Sequence, residues 1–322
     1  MSETTRAIAS SSLPLRAPVL VADDFLPLEL AVAMRQDIDT HFADPGAAHR
    51  ADTHEVWNYW FVPELYSYLR TTPEKIIRRD RVDDFMRALQ VWSTVTLGMG
   101  NVTWPSLGLY VAGCRQGLHN EARNGRFAFV YSLTRDQRRT IGGETLVFRE
   151  GDPFGGNLAE ASTCRGLYDL IEPKFNRLVV LDDRLPHAVE RIEGSMDPLE
   201  GRFVLHGHLN ETGTMITGAL PGTVVEEALV GLFGDFAEQN QARLALYQGP
   251  LALRFVISAG GSVETCDLLV DRVIHEDPRD IGWEPLRDDL VNGIKGLKFP
   301  PARGETTVTK PLVFGVPLPG KA

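Results

Sequence analysis

Apolar positions along the chain change their spacing three times. Val19–Ala22 is a short apolar run closed by Asp23, Asp24 and Pro27, which predicts a strand and a turn, and the stretch from about Leu28 to Thr40 predicts a helix. His41 to Thr53 is rich in Ala, Gly, Asp and His and predicts a loop. The histidines in and next to it, His41, His49 and His54, have no metal-ligand spacing and are expected at the surface. Trp57, Tyr59, Trp60, Phe61, Tyr66 and Tyr68 then crowd together, either as core packing of N-terminal helices or as the wall of a substrate pocket.

From Val91 the pattern becomes a series of short β-rich runs separated by Gly, Asn and charged turns. They are Val91–Leu97, Leu107–Ala112, Phe127–Thr134, Glu144–Phe148, Arg177–Leu181, Ala188–Ile192 and Arg202–Leu209. With one more strand concealed between Asp152 and Phe175, these suit an eight-stranded, double-sheet jelly roll. Asp152–Phe175 is also long for a barrel connection and reads as a lid or substrate loop.

The third change comes after Glu211. Residues 213–223 read as a linker and Val224–Tyr247 as an amphipathic helix. Leu251–Ser258, the turn Ala259-Gly260-Gly261-Ser262, Val263–Val273, a helix over Glu284–Leu297, the turn Phe299-Pro300-Pro301 and Thr307–Val316 give a β-turn-β-α-β order. The expected fold class is therefore α+β. Its parts are a tail over 1–18, a jelly-roll domain over 19–212 with N-terminal helices buttressing the barrel, and a small α+β domain over 224–322.

Composition narrows the classes without choosing among them. A length of 322 residues accommodates two domains, and 43% hydrophobic with 24% charged residues is ordinary for a packed core. A formal net charge of −10 disfavours a nucleic-acid partner, whose phosphates call for clustered Lys and Arg. The one basic run, Lys75–Arg81, reads as a solvated helix face. Cys114, Cys164 and Cys266 are odd in number and scattered, which predicts reduced thiols. The N-terminal 18 residues are polar, with neither a secretory signal nor a membrane-spanning run, so a cytoplasmic location is expected.

Three stretches carry candidate chemistry: His119-Asn120-Glu121, the run from Asn176 to His187, and Gly201–His208. Two imidazoles and one carboxylate on one face of a metal leave positions open for a cosubstrate and O2. A guanidinium can grip a distant carboxylate with paired, charge-assisted hydrogen bonds. His119 and Glu121, at i and i+2 of an extended segment, can face one point, just beyond a strand ending near Gly113. Val204, His206 and His208 share a face with Arg202 on the last barrel strand. Asp182 and Asp183 lie close to His187 but read as a solvated turn.

In order and spacing these residues resemble the Fe(II)/2-oxoglutarate-dependent dioxygenases, in particular the prolyl-4-hydroxylase-like branch, over roughly Val91 to Leu209. The resemblance implies Fe(II) held by His119, Glu121 and His187, 2-oxoglutarate as cosubstrate, and O2, with ascorbate as a stimulant. It assigns the 5-carboxylate of the oxo-acid to Arg202. Tyr110, Tyr131 and Thr145 are barrel-strand hydroxyls, any of which could add a hydrogen bond to the oxo-acid, and His206 could approach it as well. The family's carboxylate is usually Asp, so Glu121 is a departure that keeps the anionic ligand.

The implied activity is hydroxylation of an unactivated C–H bond in an amino acid, or in a residue of a peptide or protein, with succinate and CO2 as co-products. Desaturation, cyclisation or epimerisation would use the same cofactors, and a non-catalytic metal-binding sensor is the reading from another class. The C-terminal unit is similar in its element order to the C-terminal domain of TonB and of gliding-motility proteins. That similarity implies peptide or protein docking rather than chemistry, and no membrane anchor is seen before it.

Overall fold

A computed structural model describes residues 19–43, 57–135, 139–149, 167–275 and 281–315. The N-terminal tail, His49, His54, Cys164 and most of the expected lid lie outside the described residues. The described part divides into two compact units, one made of Ala17–Val91 with Asn101–Asn210, the other of Trp92–Gly100 with Glu211–Ala322.

The strands of the first unit are β1 (Val19–Ala22), β2 (Asn58–Val62), β3 (Tyr66–Thr71), β4 (Asn101–Val102), β5 (Ser106–Tyr110), β6 (Arg115–His119), β7 (Phe127–Ser132), β8 (Thr140–Ile141), β9 (Thr145–Phe148), β10 (Tyr168–Ile171), β11 (Arg177–Asp182), β12 (His187–Val189), β13 (Glu193–Gly194) and β14 (Arg202–Asn210). Among the described residues they form one curled antiparallel sheet in the order β1-β11-β7-β14-β5-β3-β6-β12-β9-β10, with β2 beside β3 and β4 beside β14, and β8–β13 as a separate pair. This is a near-closed, jelly-roll-like half-barrel, and the whole chain is α+β. The strand concealed in Asp152–Phe175 is β10, paired with β9.

Both faces of the central strands are covered: Ala128, Val179, Leu181 and Val204 are buried on one, and the residues that alternate with them are buried on the helix side. Phe127, Phe129 and Tyr131 of β7, Leu178 and Val180 of β11, and Phe203 and Leu205 of β14 are buried. The helix Leu28–Ala43 lays Ala31, Met34, Arg35 and Ile38 inward at helical spacing. Arg35 is buried because its fork is filled: it donates to Asp39, to the Leu133 carbonyl at 2.9 Å and to the Leu199 carbonyl at 2.7 Å, and its guanidinium lies over the Phe203 ring.

Two expected elements differ. Val91–Leu97 is no strand but the end of the helix Arg79–Leu97. Val82, Phe85, Leu89, Ser93 and Leu97 are its buried stripe, while Val91 and Val95 face outward. The β-branched residues suggested a strand, and the 3.6-residue spacing of the buried positions overrides that propensity. The aromatic cluster is only in part packing of an N-terminal helix, where Trp57 stacks on Phe42. The rest is the β2–β3 hairpin, with Tyr59, Trp60 and Phe61 exposed, Tyr68 buried and stacked on Tyr110, and Tyr66 against His119.

The second unit contains β15 (Met215–Gly218), β16 (Tyr247–Ile257), β17 (Val263–Asp271), β18 (Ile274–His275) and β19 (Thr306–Phe314), with helices Gly222–Leu244 and Trp283–Gly296. β16 is central between β17 and β19, and β15 adds to the far edge of β19. Residues 215–218, expected within a linker, are thus a strand of this sheet. Too few apolar residues flag so short an edge strand, and its pairing with Thr306–Thr309 forms it. Gly261, at φ +86°, closes the β16–β17 hairpin where a Cβ would strike the Phe299 carbonyl.

Leu251, Leu253, Phe255 and Ile257 of β16 meet Leu286, Leu290 and Ile294 in the core of this unit. Phe255→Ala is expected to destabilise it by about 3–5 kcal/mol, through lost burial and a residual cavity, measured as a lower urea midpoint. Among the described residues no helix is long and apolar enough to cross a membrane.

Candidate metal and oxo-acid site

The site forms where β6, β12 and β14 come together inside the half-barrel. β6 and β12 are antiparallel and place His119 directly opposite His187. Their rings are 4.4 Å apart, centroid to centroid. His119 is the last residue of β6, after which the chain turns and the Glu121 N–H donates to the Asp183 carbonyl at 2.9 Å. The three side chains bring one imidazole nitrogen or carboxylate oxygen each to within 4.8 Å of one another.

Each imidazole is oriented by its own backbone. His119 Nδ1 lies 2.7 Å from the Gly117 carbonyl and His187 Nδ1 lies 2.9 Å from the Leu185 carbonyl. Carbonyls only accept, so both Nδ1 atoms carry a proton, which leaves Nε2 as the nitrogen of each ring that can turn to a metal. Burial holds the His187 pKa below the usual histidine value, against a raising contribution from the Leu185 carbonyl, so the ring is neutral at pH 7. The donor set therefore fits a borderline divalent ion such as Fe(II).

β6 carries a bulge relative to β12: two steps along β12, from His187 to Val189, correspond to three along β6, from His119 to Gln116. That extra residue breaks the alternation and turns Gln116 to the same side as His119. The Gln116 amide sits 3.3 Å from His119 Nε2 while its Oε1 accepts from the Tyr110 hydroxyl. Gln116 was not among the residues expected from sequence, because strict alternation places it on the other face.

Arg202, at the start of β14, is 2% exposed. Nη2 donates to Thr145 Oγ1 at 3.1 Å and the guanidinium lies 4.9 Å from the centre of the Tyr110 ring. Nε and Nη1 have no hydrogen-bond partner. Burial pulls its pKa down, opposed chiefly by Tyr110. A buried cation with two unused donor nitrogens needs an anion, and removing it from water is otherwise unfavourable. Gly143, at φ +83°, packs its bare Cα near Ile192 and the Arg202 side chain.

Arg202, Tyr110, Thr145, His187, Glu121 and His206 line one cavity of about 470 Å³, including its open mouth. Burial pushes the His206 pKa down to about 3, so it is neutral, and its buried Nε2 has no hydrogen-bond partner. Tyr110, Thr145 and His206 are therefore on the cavity as expected. Tyr131 is not: its hydroxyl donates to Asn176 Oδ1 at 2.8 Å and its ring packs on Phe25 and Phe85, on the helix side of the sheet. Asn176 in turn receives the Leu26 N–H, in a left-handed backbone turn at φ 60°.

Asp182 and Asp183 are also unlike the solvated turn expected of them, for both are fully buried. Asp182 accepts two hydrogen bonds from the Arg184 guanidinium. Asp183 Oδ2 lies 2.9 Å from His208 Nδ1, and His208 Nε2 lies 3.7 Å from Glu121 Oε2. Burial pushes the Asp183 carboxyl up to about 7 despite His208 beside it. Burial works against the charged His208 ring, but the Asp183 hydrogen bond and the charges of Asp183 and Glu121 outweigh it and raise its pKa. The period of two along β14 placed His208 on the Arg202 face, but local sequence gave no sign that Asp183 would meet it.

No family model matches the chain, and no curated protein matches it. Among solved structures it is similar to a prolyl-4-hydroxylase from Pseudomonas putida (16% identity, TM-score 0.43, 61% of this chain and 94% of that one). It is also similar to a prolyl hydroxylase from Trichoplax adhaerens, solved with a hypoxia inducible factor oxygen degradation domain peptide fragment (14%, 0.39, 59% and 82%). A third is the non-heme alpha-ketoglutarate-dependent epimerase SnoN from nogalamycin biosynthesis (11%, 0.40, 59% and 77%). What the site can do follows from its own side chains.

Proposed function

We propose that this chain is an Fe(II)- and 2-oxoglutarate-dependent oxygenase that hydroxylates an unactivated C–H bond of an amino acid or of a residue in a peptide or protein. The observation that carries this reading is the His119–Glu121–His187 triad, two of whose members, Glu121 and His187, line one cavity with the buried guanidinium of Arg202, whose Nε and Nη1 have no hydrogen-bond partner. A facial triad alone suits several metals and reactions. The added anion anchor, a buried guanidinium on the same cavity, selects a cosubstrate with a second, distant carboxylate.

In this reading bound iron supplies oxygen activation coupled to oxidative decarboxylation of 2-oxoglutarate to succinate and CO2. The chain's own residues do the rest. His119 and His187 present their Nε2 atoms with ring planes already set by the Gly117 and Leu185 carbonyls, and the Gln116 amide beside His119 Nε2 gives way when metal binds. Arg202 uses Nε and Nη1 for the far carboxylate while Thr145 holds Nη2. Tyr110 closes the opposite side of the guanidinium and keeps water from it. His206, neutral and buried, offers a polar atom without a competing charge.

The chain would act in the cytoplasm, with the C-terminal unit docking a peptide or protein substrate. A sheet edge can take an extended peptide by strand addition, and this role draws on the TonB-like element order. Anaerobic titration of the apoprotein with Fe(II) and 2-oxoglutarate tests the core of the proposal. A weak visible charge-transfer band that needs both components is the expected result, followed by succinate release with O2. A folded protein that gives no band would overturn the oxygenase reading in favour of a non-catalytic scaffold.

A further inference from the structure

Glu121 belongs to two clusters. One is the triad with His119 and His187, and the other joins it to Asp183 and His208. We infer that Asp183 and His208 form a positioning pair that holds the Glu121 carboxylate in place for the metal, offsetting the freedom of a glutamate where a shorter aspartate would suffice. The inference rests on the metal reading of the triad and adds to it two residues which that reading does not use.

Geometry supports it at four points. Asp183 is fully buried and commits Oδ2 to His208 Nδ1 at 2.9 Å, which fixes the plane of the imidazole. That orientation leaves Nε2 facing Glu121 Oε2 at 3.7 Å, within ion-pair range. The Asp183 carbonyl also accepts the Glu121 N–H at 2.9 Å, so one residue restrains both the backbone and, through His208, the side chain of the ligand. Finally, a Cβ at Gly125 would lie 2.6 Å from Asp183 Oδ2 and 2.7 Å from His208 Cβ, so the bare glycine lets the pair close.

A glutamate carries one more rotatable bond than an aspartate, and an unrestrained carboxylate loses that freedom on binding a metal. Partners that orient a metal ligand typically change metal affinity by about 10- to 100-fold. His208 also lies on β14, the strand that begins with Arg202. One strand thus carries both the oxo-acid anchor and the restraint on the carboxylate ligand.

The test is anaerobic metal titration, with Fe(II) for affinity and with Co(II) for the visible spectrum that reports the ligand field. His208→Leu is expected to bind Fe(II) about 10- to 100-fold more weakly than wild type and to alter the Co(II) spectrum. His208→Gln, whose amide can still donate to Glu121, is expected to recover part of the loss and serves as the readout if the leucine variant does not fold. In a Glu121→Asp background, too short to reach the pair, His208→Gln should add little further loss.

Wild-type affinity and spectrum in folded His208→Leu, or a loss in His208→Gln as large as that expected of His208→Leu, would overturn the inference while leaving the triad intact. Equal, additive losses in both backgrounds would do the same by reducing His208 to a general structural role. Two equivalents of metal per wild-type chain would overturn it in favour of a second ion bridged by Glu121. Failure of wild type to bind any metal would instead remove the oxygenase reading itself.

Discussion

His187→Ala is expected to weaken Fe(II) binding by at least about two orders of magnitude, roughly 3 kcal/mol, and to abolish 2-oxoglutarate turnover. The imidazole is 8% exposed, its ring is fixed by the Leu185 carbonyl, and it lies across the strand pair from His119. Alanine leaves two ligands and an open space that only water can fill. The nearby His208 offers no ready replacement, because its Nδ1 is committed to Asp183. The variant should keep its fold, since His187 begins a short strand whose backbone pairing with β6 and β9 does not involve the ring. Unchanged far-ultraviolet circular dichroism together with lost metal affinity is the expected pair of results. Retained affinity would place the metal elsewhere.

Most strand positions and the triad were legible because each rests on local signals. Alternation over four to nine residues marks the barrel strands, and His119, Glu121 and His187 sit where strands end. Errors came where local signals conflict with tertiary structure. Val91–Leu97 is rich in β-branched residues yet continues a helix, because the buried stripe from Val82 to Leu97 keeps helical spacing. Tyr131 has the right alternation to be inside the sheet, but inside there means against Phe25 and Phe85 rather than on the cavity. Alternation tells which residues share a face and leaves open what covers that face.

The misread acids show a second limit. Asp182 and Asp183 in a turn between strands look solvated by composition, and only a histidine 25 residues later, returning on β14, makes burial of Asp183 tolerable. A bulge hides Gln116 for the same reason, since it arises from the mismatch between two strands and leaves no composition signal in either. Long-range pairing decides these positions.

Arg202→Met should separate stability from function in opposite directions. The wild-type guanidinium is buried with Nε and Nη1 unpartnered, Thr145 and the Tyr110 ring are neutral contacts, and the Glu144 charge acts on it more weakly than burial opposes it. Replacing such a charge by an apolar side chain of similar length should stabilise the ligand-free protein by about 1–3 kcal/mol, the direction seen when buried charges give way to packed hydrophobic residues. The same change removes two hydrogen bonds to a carboxylate, each worth about 1.5–3 kcal/mol, so 2-oxoglutarate affinity should fall by about 10²- to 10⁴-fold. Thermal unfolding in the presence of Fe(II) without O2 reads both effects at once. At 2-oxoglutarate 100 times its dissociation constant, wild type should gain about 2.7 kcal/mol, whereas the variant should begin at a higher midpoint and gain almost nothing at that concentration. A variant no more stable than wild type would mean that the charge is compensated in the free protein. A variant that still responds to the oxo-acid would assign its far carboxylate to another donor, and among the cavity residues His206, with its unpartnered Nε2, would be the first to substitute.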